Sequence, residues 1–155
     1  MKSAFETIST FNATYSRCID TDALENWPHF FTDDCFYKIT TAENVKDNLP
    51  AGLVYADSKD MLHDRISALR EANIYERQSY RHILSTPYVV SESDIQIESE
   101  TPFIVIRIMH DGKSELFCSG IYKDIFTIQD NKTLLKERIV ICDSNQIDTL
   151  LAIPL

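Results

Sequence analysis

The sequence predicts an α+β fold, with N-terminal helices and a central helix packed on a curled antiparallel sheet. Three observations point to it. Apolar residues recur at helical spacing near the start of the chain and again between Asp57 and Asn73. From Arg81 onward the chain becomes rich in alternating β-branched and aromatic residues, which favour strands. Gly120 lies inside a long strand pattern and predicts a bend or bulge, as a coiled sheet needs.

Ser3 and Glu6 form an S-x-x-E capping box. Phe5, Ile8, Phe11, Tyr15, Cys18 and Ile19 follow at helical spacing, so a first helix is expected over residues 4–18. Asp22 with Glu25 predicts the cap of a second, shorter helix carrying Leu24, Trp27, Phe30 and Phe31. Pro28 falls early in it, where its missing amide costs least. Asp33-Asp34 ends that helix, and Cys35, Tyr37 and Ile39 alternate with Phe36, Lys38 and Thr40 as a first strand.

Residues 41–53 are polar and read as a loop, a length that often binds something, and residues 53–56 as a brief edge strand. Leu62, Ile66 and Leu69, with Met61 beside them, make the apolar stripe of the central helix, capped by Asp57 or Ser58 and stopped at Asn73. Strands are expected at 82–90, 94–99, 102–110, 114–128 and 133–142, with turns at Asp111-Gly112 and Asp130-Asn131. Phe103 to Met109 is apolar on both faces apart from Arg107, so both sides of that strand should be covered, one by the helix and the other by another subunit. The apolar tail IDTLLAIPL should pack inside the protein or at an interface.

The 155 residues fit a single domain spanning 1–155. At 44% apolar and 25% charged, the composition is ordinary for a globular protein. Three glycines argue against a phosphate-cradling loop, and a net charge of −9 disfavours nucleic acid and anionic membrane as partners. No apolar run approaches the ~20 residues of a membrane span, and MKSAFETIST lacks the apolar core of a signal peptide. The four cysteines, at 18, 35, 118 and 142, form no CxxC pair. A reduced cytoplasmic protein with free thiols is the expectation.

Several separated segments resemble, in order, the small (beta) subunits of aromatic-ring-hydroxylating dioxygenases. DRISALREANIYERQSYRHILS looks like that family's signature segment, WPHFFTDDCFYKIT like its early helix-to-strand segment, and ENVKDNLPAGLVYADSKDML like the connection that follows. RIVICDSNQIDTLLAIPL resembles the ending of the branch that includes terephthalate dioxygenase small subunits. The resemblance implies the cone-shaped, nuclear transport factor two-like (cystatin-like) fold, which the helix–helix–strand–helix–sheet pattern also matches. It further implies a structural subunit of an oxygenase for an aromatic carboxylate such as terephthalate. In such an enzyme small subunits form the trimeric base of an alternating hexamer with large (alpha) subunits. The Rieske 2Fe-2S cluster and the mononuclear Fe(II) belong to the large subunit, and NADH enters through a reductase.

The residues offer no iron site, and the resemblance implies no catalytic group in this chain. A Rieske site needs C-x-H and C-x-x-H pairs, which are absent, and His29, His63, His82 and His110 are far apart in sequence. The rival reading is a stand-alone cone-fold lyase or isomerase, or a ligand-binding module, with Asp34, His82, Tyr37 and Tyr15 facing a pocket. The plainer alternative leaves Asp34 closing a turn and His82 bonded within the protein. Arg65 and Arg81 are candidates for carboxylate pairs, either within the chain or across a subunit contact. Tyr75, Tyr80 and Tyr88 are candidates for an interface or for ordinary half-buried sites.

Overall fold

The computed structural model describes residues 1–50, 52–72, 77–146 and 153–155. In chain order these form α1 (Ala4–Asp20), a 3-10 helix (Leu24–Phe30), β1 (Phe31–Thr41), α2 (Ala42–Lys46), β2 (Val54–Ala56), α3 (Lys59–Ala72), β3 (Gln78–Leu84), β4 (Tyr88–Glu92), β5 (Gln96–Met109), β6 (Ser114–Gln129) and β7 (Lys132–Cys142).

The helices start where the sequence places them. Ser3 Oγ accepts from the Glu6 amide at 3.2 Å, and Glu6 Oε2 accepts from the Ser3 amide at 2.9 Å, so the capping box opens α1. Ser58 Oγ accepts from the Met61 amide at 3.2 Å, so Ser58 is the side chain that caps α3. Leu62, Ile66 and Leu69 are buried beneath α3. Asn73, expected to stop it, lies outside the described residues.

The second helix is 3-10, and its cap is corrected too. An α ladder would need an amide at Pro28 to reach Leu24, and proline has none. Ala23 is the N-cap, without a side-chain bond. Asp22 takes a left-handed φ of 62°, and with Glu25 it grips Arg70 of α3 at 3.0 and 2.7 Å.

The strands need four corrections. β1 begins at Phe31, and a register shift against β7 between Phe31 and Phe36 absorbs the extra residues. The stretch read as a loop over 41–53 contains α2, capped by Thr41 Oγ1 on the Asn44 amide at 3.2 Å. The strand expected over 82–90 is two, β3 and β4, while those expected at 94–99 and 102–110 are one, β5. These last two errors share a cause. The Ser85 amide donates to the Pro102 carbonyl at 2.9 Å, which places the bare Pro102 nitrogen on the same side. There β3 ends opposite Phe103 and β4 begins opposite Glu100, so no strand needs the missing donor.

The strand order is β2-β1-β7-β6-β5-β3, with β4 also on β5. The curled sheet is mixed, not antiparallel throughout, because β1 and β7 run parallel. Asp130 and Asn131, at φ 52° and 60°, make the two-residue left-handed turn between β6 and β7. Gly120 has a different role from the predicted bulge. A Cβ there would sit 2.1 Å from the Ile141 carbonyl oxygen, so the bare backbone admits β7. The irregularity in β6 falls at Phe117, where pairing with β5 skips from Cys118 to Leu116.

α1 packs on β3 and β4, while α3 packs on the 3-10 helix, β1 and β2. The sheet thus encloses two helices, not the central one alone. Ile153 and Leu155 are buried, as expected of the tail, whose residues 147–152 lie outside the described residues. No helix among the described residues is long and apolar enough to cross a membrane.

Candidate functional site

Strand parity puts charge inside the cone. Tyr122, Asp124 and Phe126 share one face of β6, and Arg138, Val140 and Cys142 share one face of β7; all six are buried. Arg138 donates from Nε and Nη2 to the two Asp124 oxygens, each at 2.8 Å, and from Nη2 to Asn12 Oδ1 at 2.7 Å. Asn12 Nδ2 donates onward to Thr101 Oγ1 at 3.3 Å. The guanidinium lies between two rings, 4.3 Å from the Tyr15 centroid and 4.1 Å from that of Tyr122. Burial pushes the Asp124 carboxyl up while Arg138 pulls it back. Against its own burial, the paired carboxylate holds Arg138 in its charged form. This fully enclosed group ties α1, β5, β6 and β7 together.

The second interior cluster contains Tyr15 and Tyr37, both buried. Trp27 Nε1 donates to Tyr15 Oη at 3.0 Å, and both phenols donate to the main-chain oxygen of Leu155, the last residue. Burial raises the pKa of both phenols, so they remain donors.

His82 is the third. Asp20 Oδ1 lies 2.7 Å from His82 Nδ1, and Asp20 Oδ2 accepts from the His82 amide at 2.9 Å. A carboxylate oxygen accepts, so this contact suits an Nδ1–H donor. Nε2 has no hydrogen-bond partner among the described residues. An Asp-oriented imidazole is chemically a base, but this side chain is 0% exposed. A shallow cleft of about 290 Å³ between α1 and the β3–β4 connection counts His82 among its lining residues.

The remaining candidates disperse. Asp34 is exposed on β1 and accepts from Thr32 Oγ1 at 3.0 Å, so the structure does not bring it to His82. Arg65 is half-buried on α3, and its charge acts on the Tyr37 phenol. Arg81, with its side chain 66% exposed, has Nη1 4.0 Å from Asp20 Oδ2. Tyr80 is buried and stacks on Phe117, Tyr88 is exposed, and Tyr75 lies outside the described residues. Sequence reasoning missed Asp124, Arg138, Asn12 and Asp20. For the first two the signal was available: a charge on the apolar face of a strand pattern.

The rings of His29 and His63 meet at 5.7 Å, but no group of three His, Cys, Asp or Glu able to hold a metal occurs among the described residues. The donor set therefore fits neither a Rieske cluster nor a facial-triad iron. The four cysteines are free and buried, with Cys118 Sγ 3.1 Å from Cys142 Sγ.

A family model described as ring hydroxylating beta subunit matches residues 15–149. The chain belongs to that family. It is 56% identical over 148 residues to the subunit beta 1 of the terminal oxygenase component of terephthalate 1,2-dioxygenase from Comamonas sp., covering 96% of each chain. It is 37% identical over 155 residues to the anthranilate 1,2-dioxygenase small subunit of Burkholderia cepacia, covering 100% of this chain and 96% of that one. A crystal structure described as the beta subunit of an aromatic-ring-hydroxylating dioxygenase from Novosphingobium aromaticivorans superposes with a TM-score of 0.91. That match covers 98% of this chain and 97% of the other at 39% identity. The chain is thus a beta subunit of a ring-hydroxylating dioxygenase, with the cone-shaped fold of that family.

In the beta subunit the outer face of β3, β5 and β6 exposes apolar side chains. Ile83 pairs with Ile104 and Ile106 with Leu116, so all four share the face opposite Val105. Ile83 is 53% exposed, Ile104 42% and Leu116 67%. Neighbouring apolar side chains in water on adjacent strands form a candidate contact surface.

Proposed function

We propose that this chain is the structural beta subunit of a terminal oxygenase that attacks an aromatic carboxylate of the terephthalate kind. The observation that carries the reading is the 56% identity along 96% of both chains. In this reading the chain acts as a single domain in the cytoplasm and forms the trimeric base of an alternating hexamer with alpha subunits. The alpha subunits carry the Rieske 2Fe-2S cluster and the mononuclear Fe(II), and NADH supplies electrons through a reductase. When bound there, those centres deliver electrons and activate dioxygen.

This chain's residues hold the partners in place. The patch of Ile83, Ile104, Ile106 and Leu116 is the apolar centre of a contact, and Arg81, across from Ile106, stands at its rim. Arg65, Asp34, Tyr37 and His82 serve the fold in this reading.

Affinity purification from the native host tests the proposal. The expected result is a large partner carrying Rieske-type visible absorbance and iron, with NADH-dependent consumption of terephthalate once the reductase is added. A colourless, iron-free chain without partners, from cells grown on aromatic acids, would refute it.

A further inference from the structure

Two thiols touch inside the sheet. Cys118 Sγ donates to Cys142 Sγ at 3.1 Å, closer than ordinary contact between sulfurs. The other two cysteines are placed differently. Cys18 Sγ donates to the Ala23 carbonyl at 3.0 Å, and Cys35 is enclosed in β1.

Two features of β6 bring Cys118 and Cys142 together. The irregularity at Phe117 reverses the parity of the strand, so Leu116 faces outward while Cys118, opposite Val105, faces the interior. Gly120, two residues on, pairs directly with Cys142 on the same inner face. It has no side chain to stand between them, so the Cys142 sulfur reaches its diagonal neighbour on β6. Just beyond, the chains stay tied. The Asp143 amide donates to the Ser119 carbonyl at 2.8 Å, and Ser119 Oγ donates to Asp143 Oδ2 at 2.9 Å. Main-chain bonds on both sides therefore hold the two sulfurs in contact.

We propose that Cys118 and Cys142 form an oxidative modification site, which a small hydroperoxide converts into a disulfide stapling β6 to β7. Cys118 is the thiol attacked first, because it is 6% exposed and Cys142 is 0% exposed. Its sulfur takes one oxygen from hydrogen peroxide, giving a sulfenic acid and one water. The Cys142 sulfur then attacks the sulfenic sulfur. The S–O bond breaks as the S–S bond forms, and the Cys142 proton leaves with the hydroxide as a second water. Two thiols are oxidised and one peroxide is reduced, so the exchange balances. With its partner already in contact, the sulfenic acid closes to a reversible disulfide before a second peroxide can carry it to the irreversible sulfinic acid. This stands apart from the assembly role, because both sulfurs face the interior and the apolar patch faces outward.

The test treats the folded full-length chain with hydrogen peroxide, blocks the remaining thiols with N-ethylmaleimide and maps disulfides by mass spectrometry. The expected result is the joint loss of two of the four thiols into a single Cys118–Cys142 bond, reversed by dithiothreitol. The bond joins residues 24 apart, which restricts the unfolded chain, so the oxidised protein should unfold at a higher urea concentration than the reduced one. In Cys142→Ser the sulfenic acid has no thiol to close on, so dimedone should label Cys118 there and not in the unmodified chain. A folded chain that keeps all four thiols, that links either cysteine to Cys18 or Cys35, or whose urea midpoint falls on oxidation overturns the proposal. The mapping on the unmodified chain decides the matter even if Cys142→Ser does not fold.

Discussion

The two faces of the sheet reverse the usual rule in opposite directions. The inner face, where apolar groups belong, carries the Arg138–Asp124–Asn12–Thr101 chain of bonds. The outer face, where polar groups belong, carries Ile83, Ile104 and Leu116 in water. The inner anomaly is resolved within the chain, because the guanidinium finds a carboxylate, an amide and two aromatic rings. The outer anomaly is not resolved among the described residues, where Ile83, Ile104 and Leu116 stay exposed. A buried charge whose partners are present is architecture; an exposed apolar patch is a demand for another molecule.

The sharpest break of this contrast is Asp124→Ala. It leaves Arg138 charged and buried without its counter-ion, which costs about 3–5 kcal/mol. Urea unfolding should show the midpoint collapsing, or the chain failing to accumulate. The paired change Asp124→Leu with Arg138→Met should recover most of the loss, since well-packed apolar groups often replace a buried pair without penalty. A single Asp124→Ala costing under about 1 kcal/mol would mean that the inner network is not structural.

Much of the fold was legible because its signals are local. The Ser3–Glu6 box, the Leu62–Ile66–Leu69 stripe and the turns at Asp111-Gly112 and Asp130-Asn131 each lie within a few residues of chain. What escaped depends on distant partners. Asp20 and His82 are 62 residues apart, and Arg138 and Asn12 are 126 apart. The parallel pairing of β1 with β7 leaves no periodicity to read. Pro102 sits inside β5, and it is the gap between β3 and β4, earlier in the chain, that makes it harmless. Asp124 and Arg138 did leave a trace, each a charge at apolar parity, but parity names no partner.

The outer face is probed by Leu116→Lys. The residue is 67% exposed, so the isolated chain should lose no more than about 1 kcal/mol. Assembly with the alpha subunit, or between beta subunits, should weaken by about 2 kcal/mol or more, because a charge would enter the apolar centre of the contact. Analytical ultracentrifugation of the co-expressed complex reads this. An unchanged assembly would move the contact elsewhere and leave the apolar patch unexplained.

The smallest effect belongs to an ion pair that resembles the inner one in chemistry but not in setting. Arg70 joins Asp22 and Glu25 at 3.0 and 2.7 Å with all three side chains open to water. Arg70→Ala should cost at most about 1 kcal/mol, and less at high salt. Its pH signature distinguishes it from the buried pair. The bond from Arg70 holds the Glu25 carboxyl below its ordinary value. A depressed folded pKa means that the stabilisation is present above the ordinary glutamate range and is lost as pH falls through the lowered value. Stability measured through that acid range should therefore fall less steeply in Arg70→Ala than in the unmodified chain. If the two profiles stay parallel, solvent has already cancelled the pair, and the contrast between enclosed and open charge in this fold is sharper still.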